Sequence, residues 1–366
     1  MPALASLLVL AVCLGAPTLL LWCVPALLFV VIPALDALLG DDPQGPGAGQ
    51  ADGAHAALPW LLLPLQWATF AAALALAARP SLSAVAFAGL VATVGAVNGL
   101  AIVAAHEIGH HAGALAAAAA RFALAPACYG HFRIEHNRGH HRRVATLSDP
   151  ASARLGEGFW RFLPRSVAGG AVSAWRIEAV RLARVGRTPW HASNECLQSH
   201  AVSAMLVATA WMLGNGHVAL FVLLQAAYAV SLLEAINYIE HYGLKRQTID
   251  GKLERCAPRH SWNCDSRLSN RLLFNLQRHS DHHAHPARRY QTLRADRDSP
   301  QLPIGYAGLM WAVYLPPVWF ALMDRRVLSY CAGSLAQANV HPSDVQALQR
   351  KWPPVAASGG ARTPAP

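Results

Sequence analysis

The chain is 366 residues long, with 54% hydrophobic residues and only 14% charged ones, against roughly a quarter charged in ordinary soluble domains. This excludes a disordered polymer and argues against a soluble enzyme, and the apolar residues gather into runs long enough to cross a bilayer, about 20 helical residues each. The net charge of +10 needs no nucleic-acid partner: of 30 Lys and Arg, only Arg79 precedes residue 105, and the rest crowd segments 121–187 and 245–297 beside hydrophobic spans, as cytoplasmic retention of basic residues produces.

The expectation is an all-α, polytopic bundle of about six spans with a helical, His-rich cytoplasmic cap. Residues 1–22 contain no basic stretch ahead of the apolar run, so no cleaved signal peptide is expected. Ala3 to Leu39 is almost continuously apolar. As one helix it would be about 55 Å long, well beyond a hydrocarbon core of about 30 Å, so two short spans fit better, with candidate breaks at Gly15, Pro17 and Pro25, and one tilted, kinked helix is the alternative. A loop rich in Gly, Pro and Asp follows from Asp41 to Pro59. Spans three and four are expected near 60–78 and 82–104, turning at Arg79 and Pro80, which completes a first unit, 1–104.

Residues 105–197 form a cytoplasmic segment in which the Ala-rich stretch 112–127 reads as an interfacial or buried helix. Spans five and six, near 198–213 and 216–237, turn at Gly214, Asn215 and Gly216 and make up the unit 198–237. Because two spans separate them, 105–197 and 238–352 emerge on the same side of the membrane. Within the latter, 305–322 contains Pro316 and Pro317 and reads as a membrane-surface or re-entrant piece. The end, 353–366, has the composition of a disordered tail. Asp36 and Asn237, at span ends, read as polar anchors. Seven cysteines without a CxxC pair encode neither a disulfide framework nor an iron–sulfur module and are expected to be reduced.

The chemistry lies in the histidines. Three of the clusters are HEIGHH (106–111), EHNRGHH (135–141) and HSDHH (279–283). On helices, His106 and His110 are i and i+4, as are His136 and His140 with His141 adjacent, while His279, His282 and His283 are i, i+3 and i+4. Each cluster can therefore turn two or three imidazoles to one face. Eight clustered imidazoles exceed the needs of a single ion and suit two six-coordinate-capable ions held together; imidazole supports zinc, copper, iron or nickel without choosing among them. His241, in NYIEHYGL, is a ninth candidate. Glu107, Glu135, Glu240 and Asp281 stand beside these histidines, and are expected to orient imidazole N–H groups of another helix rather than to bind metal.

The sequence resembles the membrane alkane 1-monooxygenases, relatives of the integral-membrane fatty acid desaturases and hydroxylases. The likeness rests on GHFRIEHNRGHHRRVAT (130–146), NYIEHYGLKRQ (237–247), RHSWN (259–263) and LQRHSDHHAHPARRYQTL (276–293), and extends from about Pro33 to about Asp324. It implies a di-iron centre held by His106, His110, His136, His140, His141, His241, His279, His282 and His283. It also implies hydroxylation of the terminal methyl of n-alkanes to 1-alkanols with dioxygen, at the cytoplasmic side of a bacterial inner membrane. The first cluster departs from the family pattern, in which position 111 is usually Lys. Without a Rossmann fingerprint, flavin motif or CxxC cluster, electrons must come from elsewhere; the resemblance implies rubredoxin and an NADH-dependent rubredoxin reductase. Arg138, Arg142, Arg143, Arg278, Arg288 and Arg289 are candidates to dock such an acidic carrier.

Three other readings compete. HEIGH matches the HExxH pattern of an intramembrane zinc metalloprotease with Glu107 as general base, which leaves the other clusters unexplained. A metal transporter with His-rich loops would show lower complexity. A desaturase or a xylene or fatty acid hydroxylase shares the three clusters, and only the HYG motif and the long third cluster speak against it.

Overall fold

The computed structural model describes residues 2–42, 53–296 and 298–353. Apart from a two-residue hairpin, β1 (Thr248–Ile249) against β2 (Lys252–Leu253), the regular structure of the described residues is helical. Five helices are long and apolar enough to cross a bilayer, six if one bent pair counts as a span.

α1 (Pro2–Cys13) has 12 residues, about 18 Å of rise and less than bilayer depth. The chain turns at Gly15, φ +103°, and α2 runs over Thr18–Leu39. The two short spans expected here are thus one part-depth helix and one full span. Pro25 does not break the chain. It lies in the first turn after a 3₁₀ segment, Thr18–Trp22, where its missing N–H has no intrahelical partner to lose. α3 (Gly53–Ala77) carries Pro59 inside it, so the polar loop is shorter than the expected Asp41–Pro59; residues 43–52 of it lie outside the described residues, as does the expected tail from residue 354.

α4 (Ala84–Gly109) starts on Ser83, whose Oγ accepts from Ala86 N at 3.2 Å, and is the most enclosed span. It outruns its expected end at 104 and so holds the first His cluster on a rigid rod. α5 (Ala114–Leu124) packs Ala116, Ala120 and Ala123 against Ile102, Ala105 and Ile108 of α4, small side chains permitting close approach. α6 (residues 132–143) contains a π turn over His136–His140, and α7 is Phe159–Ala183.

Helical hydrogen bonding continues from Glu195 to His241, yet this stretch doubles back. Ser203 Oγ donates to Ala125 O (3.1 Å) and Gln225 Nε2 to the adjacent Pro126 O (2.6 Å), whereas a straight helix would separate residues 203 and 225 by about 33 Å. The stretch is therefore two antiparallel spans, α8 (Glu195–Gly214) and α9 (Gly216–His241), meeting where the sequence reading placed a turn. α10 (Arg267–Leu272) and α11 (His279–Ala284) are short. α12 (Tyr306–Tyr314) and α13 (Pro316–Tyr330) are bent by 120° at Leu315, the form expected of a re-entrant piece, and α14 is Val345–Lys351.

α4 and α9 are in direct contact because position 95 is Gly: a Cβ there would lie 2.6 Å from Tyr228 Cδ1 and 2.9 Å from Gln225 O. Leu61, Met205, Leu220 and Leu223 point outward, which suits lipid. Inside, Gln66 Nε2 donates to Asn98 Oδ1 (2.8 Å) and Asn98 Nδ2 to Gln225 Oε1 (2.5 Å). The two glutamines also satisfy the carbonyls of Ala123, in the last turn of α5, and of Pro126, just beyond it. Such amides hold spans together where the apolar effect between helices is weak. Asp36 is likewise an anchor: it accepts from the Leu268 and Ser269 amides at the start of α10.

Asn98→Leu should leave Gln225 Oε1 without its donor and Gln66 Nε2 with Ala123 O as its one acceptor. Each unpaired buried amide costs about 1–3 kcal/mol, so a fall in the thermal midpoint of the detergent-solubilised protein is expected, and an unchanged midpoint would show the ladder to be dispensable.

Candidate metal centre

Nine imidazoles from four segments meet at one end of the bundle. His106, His110, His136, His141 and His282 form one group, and His140, His241, His279 and His283 a second; within each, one potential ligand atom per residue lies within 4.8 Å of every other. His140 and His241 rings are 4.9 Å apart, and His141 and His283, from different groups, 4.6 Å, so the groups adjoin.

The expected single face for His136 and His140 is not what forms. The π turn brings His136 to His141, Nε2 to Nε2 at 2.9 Å, and sends His140 to the second group, because a π turn aligns i with i+5 rather than i+4. Gly139 makes the turn possible: a Cβ there would come within 2.5 Å of Glu135 and 2.6 Å of Arg143. α11 divides similarly, with His279 and His283, i and i+4, in the second group and His282 in the first.

The contacts themselves fit metal ions. His282 Nε2 touches the Nε2 of both His106 (3.1 Å) and His141 (3.2 Å), and His141 Nε2 also touches His136 Nε2. His283 Nε2 meets both His140 (3.2 Å) and His279 (2.8 Å). A neutral imidazole nitrogen carries either one hydrogen or one lone pair, so these branched contacts cannot all be hydrogen bonds. A cation accepting every lone pair resolves them: nitrogens about 2.1 Å from a metal stand about 3.0 Å apart on adjacent octahedral corners. The Nε2 atoms of His110 and His241 are buried without any protein partner. Burial drives His110 down to about 4, and holds His136, His141, His279, His282 and His283 well below the ordinary histidine range, with neighbouring imidazoles adding to it. Neutral rings are the ligating form.

The four acids named from sequence behave differently from one another. Glu240 Oε2 lies 3.1 Å from His279 Nε2, the nitrogen turned into the second group, so it stands beside that group rather than behind an imidazole; Tyr306 OH donates to its other oxygen at 3.1 Å. Glu107 receives Tyr290 N at 3.4 Å and faces His111 at 3.6 Å, which leaves it engaged away from the role a protease base requires. Glu135 pairs with Arg143 at 2.5 Å. Asp281 takes Arg288, His285 and the Arg294 amide. The orienting role expected for Glu135 and Asp281 is therefore corrected: arginines reach them first. The residue that does orient a ligand was missed. Asp149 Oδ2 accepts from His140 Nδ1 at 2.9 Å and from Ser152 Oγ at 2.5 Å, its carboxyl held below the usual range against burial by His140. Its only sequence signal is an acid in the SDP turn shortly after a His cluster.

Asp149→Asn should weaken metal at the second group by about 10–100-fold while leaving the first group loaded, read by metal titration of stripped protein. A second expectation concerns acid. Below about pH 6.5 the unfolded chain takes up protons on histidines that the folded centre keeps neutral, so stability of the metal-free protein should fall as pH drops from about 6.5 toward 4; a flat thermal midpoint over that window would contradict the geometry.

The fatty acid desaturase family matches residues 80–314. The chain is 42% identical to the alkane 1-monooxygenase of Acinetobacter baylyi over 87% of its own length and 79% of that protein. It is 41% identical to alkane 1-monooxygenase 2 of Pseudomonas aeruginosa over 85% of each. The xylene/toluene monooxygenase hydroxylase component of Pseudomonas putida is more distant, at 29% over about half of each chain. With its desaturase-type core and relatives of this similarity across nearly its whole length, the chain belongs to the alkane 1-monooxygenase family.

Proposed function

We propose that the protein hydroxylates the terminal methyl of n-alkanes, giving 1-alkanols, with dioxygen as oxidant and two irons as the resident metals. The observation that carries this reading is an apolar cavity walled by the two spans that bear His106 and His241, its lining reaching Val103, one turn before His106 on α4. Leu28, Ala96, Leu100, Val103, Ile236 and Met310 line it, Tyr306 and Ser269 being the polar exceptions. Tyr306 also bonds Glu240, which lies against His279, so the cavity wall is linked to the second His group. An alkane offers no polar handle, so it must be held by shape and by removal of apolar surface from water, about 0.8 kcal/mol per CH₂. The two irons, when bound, would supply the dioxygen activation and C–H oxidation that no side chain can perform. The protein's part is to align the chain end, exclude water and keep every ligand neutral.

The lengthwise run of the cavity supports a terminal rather than internal position of attack. Ala96 and Val103 both line it on α4, seven residues or about 10 Å apart along the helix axis, so a chain held there lies along the helix and points its end toward His106.

The electron donor in this reading is rubredoxin, reduced by an NADH-dependent rubredoxin reductase, approaching from the cytoplasmic side of a bacterial inner membrane. A groove of about 620 Å³ beside α6 and α7 supports an acidic partner: Arg138, Arg142, Arg143, Arg176, Arg181 and Arg184 line it. Arg138 and Arg181 are held by Glu178, and Arg143 by Glu135. Among the described residues no carboxylate pairs with Arg142, Arg176 or Arg184, which suits them to meet external carboxylates. Of the other arginines considered, Arg278 is 1% exposed and bound to Asp265 and two carbonyls, and Arg288 is held by Asp281; neither is available for docking.

Purified protein should contain about two irons per chain and convert n-alkanes to 1-alkanols when given rubredoxin, its reductase, NADH and oxygen. Ala96→Leu should shift the preferred alkane to shorter chains with iron content unchanged. Retained activity after removal of iron, or product oxidised at internal carbons, would refute the reading.

A further inference from the structure

A second, polar cavity lies on the face of α9 next to the one that lines the apolar cavity. Leu233 and Ile236 face the apolar cavity, while Glu234 and Asn237 face the polar one. Tyr129, His131, Glu135, Ser166 and Gly170 complete the polar walls, together with His136 and His140, one imidazole from each metal group. The cavity measures about 20 Å³, room for a single water, which needs about 10–15 Å³ on this measure.

Its lining is under-satisfied. Glu234 is 1% exposed within a membrane span. Its Oε1 accepts from Tyr129 OH (2.7 Å) and Asn237 Nδ2 (3.1 Å), while among the described residues its Oε2 has no well-formed hydrogen bond and only the Ser166 hydroxyl as a close polar neighbour. Glu135 Oε2 and both ring nitrogens of His131 are also buried without partners. An acid inside a span is costly and marks a functional path more often than a structural one. Unpaired buried polar atoms around a water-sized hole are the setting in which ordered water is retained. The cavity also leads outward. Glu135 is bonded to Arg143, which is bonded to Ser173 at 2.7 Å, and both Arg143 and Ser173 line the solvent-open arginine groove.

We infer that this cavity binds water and is the route by which protons reach the oxygen-reducing centre, with Glu234 as its relay residue. This rests on the hydroxylation reading, whose stoichiometry requires such a route. One alkane, one dioxygen, two electrons from the external carrier and two protons give one alcohol and one water: one oxygen atom inserts into the C–H bond, and the other leaves as water carrying both protons. The alkane side of the site is apolar and cannot conduct protons. Tyr129, Asn237 and the bound water hold Glu234 in a chain of hydrogen bonds that ends at the two His groups, so alkane and protons arrive along separate, neighbouring faces of one helix.

The test compares wild type, Glu234→Gln, Glu234→Asp and Gly170→Ala, whose new Cβ would sit 3.7 Å from Glu135 and 3.9 Å from His131 Nε2, filling the cavity without a clash. With iron content matched, Glu234→Gln should slow alcohol formation on the order of 100-fold, as for loss of a proton-transfer group. It should also divert electrons to hydrogen peroxide and change the solvent deuterium isotope effect. Gly170→Ala should do the same to a lesser degree, and Glu234→Asp should restore part of the rate. In metal-free protein, a carboxyl infrared band that shifts in D₂O should be present in wild type and absent from Glu234→Gln. Unchanged coupling and isotope effect in both Glu234→Gln and Gly170→Ala would overturn the proposal; if Glu234→Gln fails to fold, Gly170→Ala decides. A wild-type protein that makes no alcohol from any alkane would sink the hydroxylation reading instead, and the infrared comparison would then decide whether Glu234 exchanges protons with bulk water.

Discussion

The centre is organised by a conflict that only a cation removes. Imidazole nitrogens of one kind are pressed against each other, with His282 and His283 each touching two others. In a dry pocket one N–H or one lone pair cannot serve two neighbours, so each branch leaves a contact without a proper hydrogen bond. Burial of these rings suppresses protonation, so the lone pairs remain and the protein is arranged to receive positive charge. Everything else in the fold serves to hold these rings where they would not rest by themselves: the overlong α4, the π turn in α6, the short α11 and the span α9 that delivers His241.

The lipid-facing surroundings explain how that arrangement survives. Small residues let α4, α5 and α9 pack closely, and the Gln66–Asn98–Gln225 ladder ties three spans together below the centre. α9 then separates two environments. Its apolar side, with Leu233 and Ile236, faces the cavity suited to a hydrocarbon, while its polar side, with Glu234 and Asn237, faces a water-sized space beside the same metal groups. A reaction that joins an apolar substrate to a proton-consuming reduction needs both, kept apart.

The membrane spans and the nine histidines were legible before any coordinates, since both are carried by local patterns: apolar runs of bilayer length, and His at i, i+3 and i+4. Other features were not. The four acids adjacent to the histidines looked equivalent, yet Glu135 and Asp281 are claimed by Arg143 and Arg288, Glu240 stands against His279, and the acid that steers a ligand is Asp149, folded back through a turn. Arg278 looked like surface charge and is buried. Neighbours in sequence compete for partners that only folding supplies.

Sequence alone therefore determined which residue types are present in metal-binding number and, beyond residue 40, which segments form apolar helices of bilayer length, because hydrophobic length and helical spacing are properties of short stretches. The tertiary structure decided the five-and-four division of the histidines, which acid orients which ring, and the polar cavity behind Glu234. Those outcomes depend on a π turn that changes the register of α6 and on packing between helices far apart in the chain, and neither is written in local periodicity.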